Sequence, residues 1–396
     1  MPPSSTKADF VVVEPNRTSC AYFSRALYRT GRLRLHCIGT RRGISGVGGE
    51  VTRLKPAFGL TTFTAAKVLS NFRAESFRFR LHPWIDRWAL KMLQPGDNVL
   101  SSYGYANDCF KFARAHGGKT FLDAGNSHPD NFWMIMSEEL HRWKSPFTPV
   151  ARHHYERSLA MLEHVDYVMS PSSFVAKSFL ERGFEPEQIL MGRYPVDLSL
   201  FHPRTAPRAK DAPLTVISTG RLSLRKGTPY MLEAFRLIHK RHPSARFLLT
   251  QDMESNIAPI LAKYSDLPIE WSPGLPHQQL GERLRSADVF VLLSLEEGLV
   301  RTALEAMACG VQVVLTPNTG ASDLVTLGEN GEVVPIRDAS AAAEAVSKCH
   351  QRILDGVITN PLPICAEVSP ESFERCFLRH VNVISPVNHI FNLRKS

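Results

Sequence analysis

The feature that most constrains this chain is an alternation of short apolar runs with amphipathic stretches, and it occurs twice. Phe10-Val11-Val12-Val13 reads as a buried strand, followed by a helix candidate from Ala21 to Tyr28 that Gly31 closes. The strand candidates Asn98–Ser101 and Lys119–Leu122 flank a helix from Asn107 to His116. The amphipathic stretch Pro149–His164 leads into the strand Asp166–Met169. Strands joined this way belong to a parallel sheet, because parallel neighbours need a crossover and a helix supplies it. A second run begins at Leu214–Ser218. Its strands are Arg246–Leu249, Val289–Leu292 and Val311–Leu315, and its helices are Pro229–His239, Gln279–Arg285 and Thr302–Cys309. Gly310 stands where a helix takes its left-handed closing residue.

Between the two runs, Gly192–Pro213 is rich in proline and basic residues. The expected organisation is an α/β domain over 1–198, a linker over 199–213 and a second α/β domain over 214–370. A last segment, 371–396, would pack back on the first domain. A chain of 396 residues suffices for two cores.

The most informative segment for chemistry is Glu297-Gly298-Leu299-Val300-Arg301-Thr302-Ala303-Leu304-Glu305, two carboxylates eight residues apart across a strand-to-helix junction. Eight helical residues rise about 12 Å. That span suits a ligand with hydroxyl clusters at both ends and a diphosphate between them. Carboxylates accept from vicinal hydroxyls, and the free N–H groups at a helix start face phosphate. A second block, Ser218-Thr-Gly-Arg-Leu-Ser-Leu-Arg-Lys-Gly227, places Arg221 and Lys226 in a glycine-containing turn. Such a turn lets cations and backbone approach a phosphate.

Together with Ser286–Gly298, Leu304–Val311 and Thr319–Val325, these blocks resemble the donor site of retaining family-4 glycosyltransferases. Asp166–Gly183 and Pro195–Phe201 resemble the same family's last N-domain unit and hinge. The resemblance implies a GT-B fold, two Rossmann-like domains facing across a cleft. It implies a nucleotide-diphosphate-sugar donor, an acceptor (saccharide, lipid-linked saccharide or small molecule) and transfer with retention of anomeric configuration.

By position, Glu297 would contact the transferred sugar and Glu305 the donor ribose. Arg221 and Lys226 would hold the diphosphate, and Gly298, Leu299 and Val300 would line the donor. Glu296 is out of register and is assigned to the periphery. The two cations would stand in for a divalent metal, so neither metal nor cofactor is expected; Asp123, Asp130 and Asp252 are isolated in the sequence. The resemblance also calls for a histidine after a mid-domain strand. His128, in Gly125-Asn126-Ser127-His128-Pro129, is the catalytic candidate.

The chain departs from the family pattern where Val300 replaces a glycine, Gln312 a proline and Asp323 a glutamate. Two other readings stay open on the same fold, a nucleotide-sugar epimerase or hydrolase and a silent nucleotide-sugar-binding protein.

Charge points to a further partner. Residues 1–100 carry 16 Lys+Arg against 6 Asp+Glu, a net of +10, while the whole chain is +9. The basic surface therefore belongs to the first domain and suits an anionic membrane surface or an anionic acceptor. No nucleic-acid module accompanies it, so nucleic acid is not expected as a partner. No secretory leader and no membrane-length apolar run is visible, which leads to the expectation of a cytoplasmic protein, peripheral at the inner face of the membrane. In Asn71–Leu93, Pro83 is expected to open a helix carrying Trp84 and Trp88 on one face.

Overall fold

A computed structural model describes residues 9–15, 18–39, 46–68, 71–204, 212–250, 252–357 and 359–385. Thirteen strands form two sheets among these residues. The first sheet contains β1 (Phe10–Glu14), β2 (Leu33–Ile38), β3 (Thr52–Leu54), β4 (Asn98–Ser102), β5 (Thr120–Asp123), β6 (Tyr167–Ser170) and β7 (Ile189–Met191). Its order is β3-β2-β1-β4-β5-β6-β7, with every pairing parallel. The second contains β8 (Thr215–Ser218), β9 (Arg246–Leu249), β10 (Ile269–Trp271), β11 (Val289–Leu292), β12 (Gln312–Leu315) and β13 (Gly331–Val333). Its order is β10-β9-β8-β11-β12-β13, again parallel.

The helices of the first half are α1 (Cys20–Arg29), α2 (Pro56–Val68), α3 (Asn71–Leu90), α4 (Asn107–Ala115), α5 (Pro129–Arg142), α6 (Arg152–Leu162) and α7 (Ser173–Leu180). Those of the second half are α8 (Thr228–Arg241), α9 (Ala258–Leu261), α10 (His277–Ser286), α11 (Arg301–Ala308), α12 (Ala339–Leu354), α13 (Leu362–Val368) and α14 (Pro370–Ile384). Strands with both faces covered by helices read as unbroken apolar runs, and β1 and β11 are buried throughout.

Each sheet reverses its strand order beside its first strand, at β1/β4 and at β8/β11. Open α/β sheets leave a crevice at that point, outside the carboxyl ends of the strands. Both sheets place the loops that follow β1, β5, β8 and β11 against one another, so the two crevices share one cleft.

Among the described residues the two halves touch at several places, including Ser172 and Ser173 at the start of α7, which bond Gly298 O and the Asp323 carboxylate. Loop 126–127 of the first half bonds Glu296 of the second. Glu139 of α5, fully buried, accepts from Trp143 Nε1, Tyr230 Oη and Arg337 Nε, each at 2.8 Å. A buried carboxylate is tolerated when its lone pairs are filled in this way. Finally, α14 returns to the first half, where Phe377 packs on Phe23 of α1 with ring centroids 4.9 Å apart and Asn382 accepts from Arg32.

Pro83 does not open a helix. It lies well inside α3, which already runs through the buried Phe79 and His82 on its N-terminal side. Packing holds that upstream turn: Phe79 stacks on His154 with centroids 3.8 Å apart. Trp84 and Trp88 do share a face, and Lys55 Nζ covers it at 5.2 and 5.7 Å from the two ring centroids. The expected linker falls partly on 205–211, outside the described residues.

Candidate functional site

Two loops of the second half build one wall of the cleft. After β8 the chain turns through Gly220 and Gly227, both at positive φ. A Cβ on Gly227 would meet Leu293 O at 1.9 Å, so only glycine lets this turn lie on the β11 loop. Ser223 fixes the turn by accepting from the Lys226 N–H, while Thr228 Oγ1 accepts from the Ser223 N–H. After β11 the chain runs through Glu296, Glu297 and Gly298 into α11. A Cβ on Gly298 would meet Gly125 O at 2.1 Å, which is where the backbones of the two halves touch.

Lys226 Nζ meets Glu297 Oε1, and Arg225 Nη1 lies 2.6 Å from the same oxygen. Burial alone would raise the Glu297 pKa, but Arg225 and then Lys226 hold it below the ordinary carboxylate value. Arg221 does not join this group. It is exposed and lines a cavity of about 420 Å³ with Phe132, Glu254 and Arg225. The residue that supplies the second cation is Arg225, which the sequence reading passed over although it adjoins Lys226.

Glu296 is not peripheral. It is fully buried and accepts from the Ser127 N–H at 2.9 Å, Ser127 Oγ at 3.0 Å and Asn126 Nδ2 at 2.9 Å. One residue of register separates its role from that of Glu297. One carboxylate faces the opposite half of the chain and the other faces the cations.

Glu305 sits on α11 and is buried, with Oε2 lacking any hydrogen-bond partner. Burial pushes its pKa from the ordinary 4.5 to about 7, with Arg301 opposing. Glu305 opens into a cavity of about 360 Å³ beside His277, Arg301 and Tyr22. A buried carboxylate oxygen facing a cavity without a donor is a place where ligand hydroxyls would bind. Val300 takes the N-cap of α11 at φ −79°, an ordinary conformation, and its side chain lies in the core. No glycine is needed there on backbone grounds. Leu299 lines a cavity of about 370 Å³ facing Thr18, Ser19 and Tyr22 of the first half.

The structure does not place His128 with these groups. Its Nδ1 accepts from the Asp130 N–H and caps α5, and its ring packs edge-on against Phe179, 5.3 Å between centroids. Burial lowers its pKa to about 4, against Asp130, so the ring is neutral at pH 7. Ser127 and Pro129, its neighbours, line a cleft cavity of about 460 Å³, whose lining skips His128. A proline at the first helical position makes the preceding residue an N-cap, and the histidine is used for that.

Nor is Asp123 isolated. It is fully buried at the end of β5, and its carboxylate accepts from Ser19 Oγ, from Ser102 Oγ at 3.1 Å and from Tyr194 Oη at 2.5 Å. Asp123 lines the same 460 Å³ cavity. Among the described residues no group of three or more His, Cys, Asp or Glu could hold a metal ion.

Two parallel α/β sheets sharing a cleft define the GT-B fold, and solved structures of that fold superpose on almost the whole chain. The Escherichia coli trehalose-6-phosphate structure bound with UDP-2-fluoro glucose matches with a TM-score of 0.65 at 14% identity, over 93% of this chain and 98% of that one. The lipopolysaccharide outer core galactosyltransferase WaaB gives 0.61 at 15% identity, over 95% and 99%. Within the chain, residues 204–351 match the family described as glycosyl transferases group 1.

Among curated proteins, the Salmonella typhimurium glycosyltransferase WcaL of colanic acid biosynthesis is 29% identical over 222 residues, 53% of this chain and 54% of WcaL. The amylovoran biosynthesis glycosyltransferase AmsK of Erwinia amylovora is 27% identical over 170 residues, 40% of this chain and 41% of AmsK. The chain spans about half or less of the length of these curated relatives.

Proposed function

We propose that this chain is a metal-independent, retaining glycosyltransferase that moves a sugar from a nucleotide-diphosphate sugar to an acceptor bound on the first half. The observation that carries the reading is the pair formed by Glu305 and the Glu297–Lys226–Arg225 group at the two ends of one loop-helix unit. Glu305 offers an unpaired buried oxygen to ribose hydroxyls. Lys226 and Arg225 offer fixed positive charge where the nucleotide diphosphate departs, and fixed charge in a closed cleft stabilises such a leaving group with little reorganisation. The exposed Arg221 meets the diphosphate from the cavity wall. Glu297, held ionised by the two cations, then faces the transferred sugar. Matching to group 1 glycosyltransferases over 204–351 supports the class, and the E-x7-E resemblance supports retention.

His128 serves this site by fixing loop 125–128 rather than by touching ligand. The basic first domain would meet an anionic surface or acceptor. Among the described residues no helix is long and apolar enough to cross a membrane. A cytoplasmic enzyme working at the inner membrane face is the setting we propose.

The test is a panel of nucleotide-sugars, read by thermal shift and calorimetry. A ligand at a hundred times its Kd adds about 2.7 kcal/mol. Binding of one nucleotide class to the wild type, weakened in Glu305→Ala and Lys226→Ala, is expected. A panel with no binder refutes the reading. Donor turnover at an equal rate without acceptor would instead indicate a hydrolase.

A further inference from the structure

The cleft cavities adjoin one another in a row: the 420 and 460 Å³ cavities share Phe79, Phe132, Val150 and Arg225, and the 360 and 370 Å³ cavities share Tyr22, Arg25, His277 and Arg301. The 460 Å³ cavity, on the first half's side, and the 370 Å³ cavity, which reaches Leu299 and Arg301 of the second half, share Thr18, Ser19 and Gly125. In a group-transfer enzyme the reacting atoms of donor and acceptor must come within about 3–3.5 Å of each other. The reaction centre therefore lies where a donor-side and an acceptor-side space join.

Both junction hydroxyls have committed protons: Thr18 Oγ1 donates to Glu14 Oε2 at 2.6 Å and also accepts from the Cys20 N–H, which leaves Ser19 as the hydroxyl with the freer oxygen. Ser19 Oγ donates to Asp123, which is fully buried and also takes Ser102, Tyr194 and the Cys20 thiol. With its proton committed to Asp123, the Ser19 oxygen keeps its lone pairs for the cavity. The Asp123 carboxylate is filled by protein donors and has no need of a ligand. Gly125 completes the junction. A Cβ there would have only Tyr194 Oη at 3.8 Å and Ser19 Oγ at 3.9 Å near it, so the space is open and the backbone φ is not in the left-handed region.

We propose that Ser19, oriented by Asp123, is the first half's sugar-contacting group at the reaction centre, accepting a hydrogen bond from a hydroxyl of the transferred sugar or the acceptor. Ser19 makes the contact and Asp123 is a positioning residue. This rests on the glycosyl-transfer reading and assigns the facing-domain role to a pair that does not include His128.

The experiment uses the full chain with the nucleotide-sugar that binds best in the panel. It follows nucleoside diphosphate release, with donor Kd from calorimetry. Ser19→Ala is expected to lower kcat by roughly a hundredfold, the scale of one positioned polar group. Donor Kd should change less than threefold, since Lys226, Arg225 and Glu305 are untouched. Ser19→Thr, which keeps the hydroxyl, should restore most of the rate, a rescue that a merely structural defect would not show. Gly125→Ala, which puts a methyl in the open junction without backbone strain, should also keep donor Kd and lose turnover. Wild-type kcat in Ser19→Ala overturns the inference alone. A wild type that binds no nucleotide-sugar removes the glycosyl-transfer reading, and this inference with it.

Discussion

Replacing Glu305 by glutamine should make the protein more stable at alkaline pH while weakening nucleotide binding. The magnitude follows from the burial of this one carboxyl. Its pKa is about 7 in the folded chain against an ordinary 4.5. The folded state thus holds a proton that the unfolded state has released between those two values. Stability falls as pH rises through the window from 4.5 to 7, and the loss is complete above it. Two and a half pH units correspond to about 3.4 kcal/mol, so a penalty of about 3 kcal/mol is expected at pH 8. Glutamine carries no charge and escapes that penalty.

Urea unfolding of wild type and Glu305→Gln at pH 5 and pH 8 reads it. Any pH-independent cost of the buried amide cancels in the difference. The stability of Glu305→Gln relative to wild type should rise by about 2.5 kcal/mol between the two pH values, since part of the loss has already occurred at pH 5. Donor affinity should fall in the same variant, because an amide oxygen offers fewer acceptor sites than a carboxylate. A variant-to-wild-type difference that is the same at both pH values refutes the reasoning, since Glu305 would then titrate normally. A group that destabilises the fold for the sake of a ligand is a common mark of a binding site.

Glu139→Ala should cost about 1–3 kcal/mol, because it leaves Trp143 Nε1, Tyr230 Oη and Arg337 Nε without their acceptor while Arg337 Nη1 keeps Glu138, and thermal melting measures it. Glu296→Ala should open the cleft, which small-angle scattering would register as a larger radius of gyration; an unchanged radius would show that the remaining contacts between the halves suffice. His128→Ala should cost about 1 kcal/mol, the scale of a lost helix cap, and leave kcat within a few-fold, while a hundredfold loss of turnover would restore the catalytic assignment. Lys226→Ala and Arg225→Ala should each depress turnover strongly and EDTA should not; loss on chelation restored by Mg²⁺ would mean that a metal carries the diphosphate charge. Flotation on anionic but not neutral vesicles should fade between 0.1 M and 1 M salt, as the screening length shrinks from about 10 Å to about 3 Å.

By itself the sequence determined the layering of this protein. The unbroken apolar strands Phe10–Val13 and Val289–Leu292, spaced by helix-length stretches, require parallel sheets covered on both faces, because period and burial are local properties of the chain. It also determined which segments build the cleft wall. It marked the blocks Ser218–Gly227 and Glu297–Glu305 by the residue types they carry.

Which neighbour within such a segment does what was decided only by the tertiary structure. Glu296 and Glu297 are adjacent and chemically alike, yet one faces Asn126 and Ser127 across the cleft and the other faces Arg225 and Lys226. Arg221 and Arg225 differ in the same way. His128 reads as a loop histidine until Pro129 is seen to start α5, which turns the ring into a cap. The partners of Asp123 come from residues 19, 102 and 194, and those of Glu139 include residues 230 and 337. Hydrogen bonding acts through space over about 3 Å, so its partners are chosen by packing and not by separation along the chain.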